Sequence, residues 1–316
     1  MGFILKRAGI AVLLVWIVAS IVFLAIRLVP GDPAELLLSQ GGVAPDPSAV
    51  RELHERLGLD RSLLTQYLVD FRRLAAGDLG NSLQDDSPVL SEIAHRLPRT
   101  LELIAAAALF AVLLGIPAGL LAAVRRGGIL DRIGRLVSAL WLAVPVFVIG
   151  TLLVLVFAQT LRWIPAGGYV PLAQDPIKHL TLLAMPALTI GLGLAASLFR
   201  MTRASVLDVS QRDYVRTARA KGVAPGRVLI RHVLRNALMP VVTVLALNLG
   251  TLLGGTVLVE YVFNYPGLSG MLVDAVNARD YPEVQGVVLV ISVLFVALNL
   301  AVDLVYAVLD PRVRHP

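Results

Sequence analysis

Apolar positions fall into six long runs, about residues 9–29, 101–124, 136–160, 180–199, 237–259 and 285–308, separated by segments where charged residues collect. Each run is about 20 residues or more, enough to cross ~30 Å of hydrocarbon as a helix. Lone polar residues interrupt the runs, but no string of charges does. Period-two alternation is absent, so a spanning barrel is excluded and helices remain, each satisfying its own backbone groups. The pattern predicts an all-α membrane protein with one six-span transmembrane domain over residues 1–316.

Composition agrees with the pattern and narrows the chemistry. The chain is 57% hydrophobic and 16% charged, whereas a soluble domain is roughly half apolar and about a quarter charged. It has no cysteine, which removes disulfides, thiol nucleophiles, iron–sulfur clusters and cysteine zinc sites. The pI near 10.0 would suggest a nucleic-acid partner, but the basic residues follow the membrane topology instead. Alternate segments, from Lys6 and Arg7 at the start to Arg312 and Arg314 at the end, hold 17 Lys and Arg; the two short segments on the other side hold 3. The positive-inside rule then places both termini in the cytoplasm, with no nucleic acid involved. The first run is longer than a signal-peptide core of about 7–15 residues and lacks an A-x-A site, so it reads as an uncleaved span.

Segment 30–99 falls outside in this topology, as a helical insertion. Asp46-Pro47 places a cap before a first-turn proline, and Gly58 suits a helix end. Residues 62–75 carry an apolar stripe of Leu64, Leu68, Phe71 and Ala75, read as the inward face of a packed cap rather than a docking surface. Ser87-Pro88 opens a third short helix ending before Pro98.

Segment 200–236 is the most informative. A helical run, Asp213-Tyr-Val-Arg-Thr-Ala-Arg-Ala-Lys-Gly222, stops at a glycine; Pro225 then suits the first turn of a second helix. Positive charge here fits contact with anionic headgroups. It does not explain the small residues Thr217, Ala218 and Ala220 before the corner, which would let another protein surface approach the backbone.

At these residues the chain resembles a known family, the permease subunits of ATP-binding-cassette importers, in the dipeptide/oligopeptide branch that also carries nickel or glutathione. Within that branch it is similar to the first (B-type) permease. The resemblance rests on the run above and on Arg231-His-Val-Leu-Arg-Asn-Ala-Leu-Met-Pro240. It also includes Arg27-Leu-Val-Pro-Gly-Asp-Pro33, Leu57-Gly-Leu-Asp-Arg61, Gly77-Asp-Leu-Gly-Asn-Ser82, Glu260-Tyr-Val-Phe-Asn-Tyr-Pro-Gly267 and Asp303-Leu-Val-Tyr-Ala-Val-Leu-Asp-Pro-Arg312.

The resemblance implies a type I importer permease fold in the cytoplasmic (inner) membrane, and import of short peptides. It also implies a second homologous permease, two ATP-binding-cassette ATPase subunits holding ATP and Mg, and an extracytoplasmic solute-binding protein. Segment 200–236 corresponds to the family's coupling loop, with Arg216, Thr217, Ala218, Arg219, Ala220, Lys221 and Gly222 as the ATPase-facing residues. Where the generic loop has Glu, this chain has Arg216. By the same resemblance Glu260, Phe263 and Tyr265 belong to an outer gate or a binding-protein contact, or else to a structural turn.

No G-x-x-x-x-G-K-[ST] occurs, and Lys6, Lys178 and Lys221 are the only lysines, none after a glycine. The chain is therefore not expected to be an enzyme or to bind a cofactor. Gly191-Leu-Gly193 lies within a span without a preceding strand, so it reads as helix packing, as do Gly115/Gly119 and Gly250/Gly254. Gly267-Leu-Ser-Gly270 resembles the nucleophile motif of rhomboid proteases. The only later histidine, His315, falls on the opposite side of the membrane, leaving Ser269 without a base. Intramembrane polar residues mark candidate path positions: Asn248 and Thr251, then Asn299 and Asp303, with Asp303 read equally as an interfacial residue. A secondary transporter or channel without ATPases is the competing class, and Asp303 would be its only ion-coupling candidate.

Overall fold

The computed structural model describes residues 2–28, 33–38 and 46–309, and among them every regular element is a helix. The chain divides into two compact units, Met1–Leu97 with Met271–Val296 and Pro98–Gly270 with Ala297–Pro316. Five helices are long and apolar enough to cross a membrane, and a bent pair makes a sixth.

In the first unit, α1 (Gly2–Leu28) is followed by three short helices, α2 (Pro33–Leu38), α3 (Pro47–Leu57) and α4 (Leu63–Ala75); α2 packs on α3 and α4 bonds to α1. The predicted punctuation of α3 is present. Asp46 accepts from Ser48 N at 2.8 Å, and Gly58 ends the helix at φ 64°.

Helix α4 presents its other face. Leu64 and Leu68 are 69% and 59% exposed, while Gln66 and Asp70 turn towards α1 and take Arg27 at 3.0 and 3.2 Å. Arg27 also lies 3.4 Å over the Phe23 ring. Burying a guanidinium requires paired acceptors, and this requirement overrides the apolar stripe in orienting the helix.

The second unit is built around α8 (Pro176–Val209), most of whose residues are buried. It packs against α5 (Val89–Val124), α6 (Ile129–Ala143), α7 (Val146–Thr160) and α10 (Pro225–Gly255). The α5–α8 contact is backbone to backbone. A Cβ added at Gly115 would lie 2.6 Å from Ala195 O, and one at Gly119 2.6 Å from Phe199 O, the close approach that small residues permit between spans. Gly191 likewise meets the Phe110 ring and Ala107 O, whereas Gly254 faces open space.

Two boundaries differ from the sequence pattern. The separate helix expected after Ser87-Pro88 is the start of α5, which runs through Pro98 and Pro117 without ending. The apolar run 136–160 is two helices meeting at 102°. Val144 is extended (φ −86°, ψ 128°) before Pro145, the conformation that proline imposes on its predecessor.

Candidate functional site

Helix α9 (Asp213–Ala220) lies beyond the Val209 end of α8 and is seated on its own chain. Val215 and Ala218, three residues apart on one face, are 0% and 8% exposed. They pack with Ala123, Val206, Val209, Val228, Val233 and Ala237. Arg216, Thr217, Arg219, Ala220 and Lys221 point away and are exposed. The small-residue run therefore divides: Ala218 is an anchor into the body, and Thr217 and Ala220 belong to the free face.

The corner after α9 is locked by two backbone bonds, Gly222 N to Arg219 O at 3.0 Å and Val223 N to Ala218 O at 3.3 Å. Gly222 takes φ 76°, with open space where a Cβ would stand. Backbone conformation, not crowding, is therefore what calls for glycine there. This is the left-handed helix ending in which the residue after the glycine packs back on the last turn, and Val223 does pack with that cluster.

Pro225 begins α10, which is one continuous rod to Gly255 rather than a loop helix followed by a span. Its Val228–Leu234 stretch is widened into π turns, a local form often found where function needs an irregular helix. Tyr214 of α9 donates to His232 O of this stretch at 3.3 Å and accepts from Asn236 Nδ2 at 2.8 Å. Farther along the same rod, Asn248 Nδ2 donates to Val244 O at 2.7 Å and Thr251 Oγ1 to Asn248 O at 2.8 Å. These bonds answer the polar groups locally and keep Val244, Asn248 and Thr251 on one face (three and four residues apart). Asn299 is half-buried on α13 (Tyr281–Leu309). Asp303 lies on the same helix, with its side chain outside the described residues.

At the Pro176 end of α8, the motif beginning at Glu260 forms a buried knot. Glu260, in the short helix α11 (Val257–Val262), is 1% exposed. Its Oε1 accepts from Thr100 Oγ1 at 3.0 Å and Thr256 Oγ1 at 2.9 Å, and its Oε2 from Gly270 N at 2.7 Å. Because each hydroxyl has one proton, Ser269 must donate to Thr256 Oγ1, 2.9 Å away. Leu268 N completes the chain by donating to Thr100 Oγ1 at 2.7 Å. The carboxylate thus sits at the N-terminus of α12 (Leu268–Ala278), where free N–H groups favour an anion. A Cβ at Gly267 would fall 2.3 Å from that carboxylate, so only glycine fits. Burial pushes the Glu260 carboxyl above its ordinary range, against the pull of these hydrogen bonds.

Phe263 and Tyr265 are buried as well. Tyr265 Oη shares its one proton between Arg99 O at 3.3 Å and Glu102 Oε2 at 3.4 Å. His179, also buried, is held between Val170 O and Glu102 Oε1, each at 2.7 Å. Neither Glu260 nor the two aromatics presents a surface; the exposed members of the motif are Tyr261 and Asn264. Ser269 serves as a hydrogen-bond donor inside the knot.

An ion cluster that the sequence pattern did not single out lies near the other end. Asp131, 1% exposed, accepts two bonds from Arg203, the longer at 3.0 Å, plus one from Gly127 N at 2.9 Å, with Arg135 at 3.5 Å. Asp131 is the one acidic residue amid the 125–135 arginines; that lone charge was the available signal.

Among the described residues the chain is all-helical, with five or six candidate spans around one buried helix, an architecture it shares with permeases of the type I importer fold. Comparison with known proteins gives the family: the chain belongs to the inner membrane components of binding-protein-dependent transport systems, matched over residues 115–315, with the family's N-terminal region over 1–104. It is 40% identical to a di/tripeptide transport system permease, DppB of Pseudomonas aeruginosa, over 100% of this chain and 99% of that one. It is 43% identical to a glutathione transport system permease, GsiC of Pectobacterium atrosepticum, over 95% and 94%. The inward-facing methionine transporter MetNI shares the fold, with TM-score 0.57 and 19% identity over 71% of this chain and 98% of that one.

Proposed function

We propose that this chain is one half of a two-permease pore that imports short peptides, with both termini in the cytoplasm. A second related permease completes the pore. Two separate ATPase subunits bind ATP and Mg, and an external binding protein delivers the cargo. The cargo assignment rests on relatives named for di/tripeptide and glutathione transport; membership of a binding-protein-dependent system favours separate ATPases over ion coupling through Asp303.

The observation that carries the reading is the division of α9 into two faces. Val215 and Ala218 fix it to the body, and Arg216, Thr217, Arg219 and Ala220 stand free for a groove on the ATPase. Tyr214 joins the same helix to the rod bearing Asn248 and Thr251. Movement of the ATPases on binding ATP would turn α9 and α10 together and shift the pore between outward- and inward-open states. ATP acts by binding one state more tightly than the other.

The test separates the two faces in the assembled complex. Ala220→Trp should block docking, so that ATPase subunits no longer co-purify while the permease pair stays intact. Gly222→Pro should misalign the corner and leave ATP hydrolysis without transport. Normal coupled transport in both variants would overturn the assignment.

A further inference from the structure

A recess of about 460 Å³ opens among α6, α8 and α10, lined by Arg135, Arg200 and Arg203 with Ser197 and apolar Leu142, Phe199, Met201 and Val244. Arg203 and Arg135 share Asp131. Arg200 has no hydrogen bond or ion pair among the described residues, so the recess keeps an excess of positive charge. Arginines at a membrane boundary ordinarily meet headgroups or water. Arg200 is itself exposed, and it also lines a space with apolar walls. Val244 in the wall is one helical turn from Asn248 and two from Thr251 on the same face of α10, and hydrocarbon and guanidinium line one space.

We infer that Arg200 is the anchor of an oxyanion site in this recess, occupied by the C-terminal carboxylate of a peptide leaving the pore. A guanidinium fork suits a carboxylate, and the apolar wall accommodates side chains of any kind, as a peptide carrier of broad range requires. The site prefers cargo with a free carboxylate and keeps it oriented at the end of the path, where a single unpaired cation binds weakly enough to release it. The inference rests on the import of peptides proposed above. A phospholipid phosphate is the other source of the same chemistry.

The test uses the whole complex in vesicles, with loaded binding protein, comparing a dipeptide and its C-terminal amide. Arg200→Gln should lower uptake of the dipeptide by about tenfold or more, the scale of one charge-assisted hydrogen bond, while leaving amide uptake and stimulated ATP hydrolysis near wild type. Arg200→Lys should restore a good part of dipeptide uptake. Repetition in phosphatidylcholine with and without phosphatidylglycerol separates the sources. If wild-type uptake requires phosphatidylglycerol and Arg200→Gln removes that requirement, the oxyanion is the headgroup and the assignment to a peptide carboxylate is overturned. Equal uptake of both cargoes at wild-type rates by Arg200→Gln, or an equal loss of both in either lipid, overturns the site. Should Arg200→Gln fail to assemble, Ser197→Glu places a negative charge in the same recess and must depress the dipeptide more than the amide. Failure of wild type to couple ATP to uptake of any peptide would instead count against the importer reading itself.

Discussion

Glu260 carries more of the structure than a surface loop residue could, because its two oxygens receive side-chain and backbone donors brought from α5, α10's end and α12. Glu260→Gln keeps the shape but turns an amide N–H₂ towards either Gly270 N or the two hydroxyls. The expected cost is about 1–3 kcal/mol, read as a lower Tm of the purified chain. The pH dependence has a definite sign. Burial raises this carboxyl above its unfolded value, so the folded chain holds the proton more tightly and stability falls as pH rises through the interval between the two values. The Tm gap between wild type and Glu260→Gln should therefore widen as pH is lowered towards the ordinary carboxyl value; a gap that narrows on acidification would refute the shift. Gly267→Ala should be worse than either, since its methyl has no room beside the carboxylate. Asp131→Asn should lower Tm, and combining it with Arg203→Ala should cost less than the two separately, because they share one interaction. The sequence marked Glu260, Phe263 and Tyr265 as a group but left an outer contact and a structural turn both open. A motif records which residues occur together, and burial depends on partners such as Thr100, 160 positions away.

For the helices, apolar length and helix punctuation were legible where local physics decides. The α3 cap, the Gly222 corner and the Pro225 start are cases where one residue's backbone preference settles the outcome. Direction was not legible. Hydropathy counts apolar residues without sensing where the backbone points, so the 102° elbow at Val144–Pro145 read as a straight span. Proline alone does not mark such breaks, since Pro98, Pro117, Pro186 and Pro240 all lie inside helices. The inward turn of Ala218 was likewise hidden, because its choice of face depends on Val206 and Val233. The contact between α9 and the π turns gives a prediction at this scale. Tyr214→Phe removes the bonds to His232 O and Asn236; it should cost only about 1 kcal/mol in stability. It should, however, lower the number of peptides moved per ATP, measured in vesicles. An unchanged ratio would show that α9 and α10 are coupled through packing alone.

At the scale of the molecule, orientation is open to a simple experiment because the chain has no cysteine of its own. Gln211→Cys, beside α9, and Ala173→Cys, in the connection between α7 and α8, are both exposed positions near opposite ends of α8. In right-side-out vesicles an impermeant maleimide should label Ala173→Cys alone, and in inside-out vesicles Gln211→Cys alone. The reverse result would invert the topology inferred from the charges and remove α9 from the reach of any cytoplasmic ATPase.

The glycine contacts between α5 and α8 have a mechanical consequence. Where Gly115 and Gly119 press against Ala195 O and Phe199 O, main chain meets main chain, with only the Cβ atoms of Leu198 and Thr202 beside them. Such a joint behaves as a strut, stiff because it has few parts to rearrange. Deformation during a transport cycle is then left to compliant places: the elbow at Pro145, the widened turns of α10 and the break at Thr256. The chain divides into a frame that bears load and a few joints that yield.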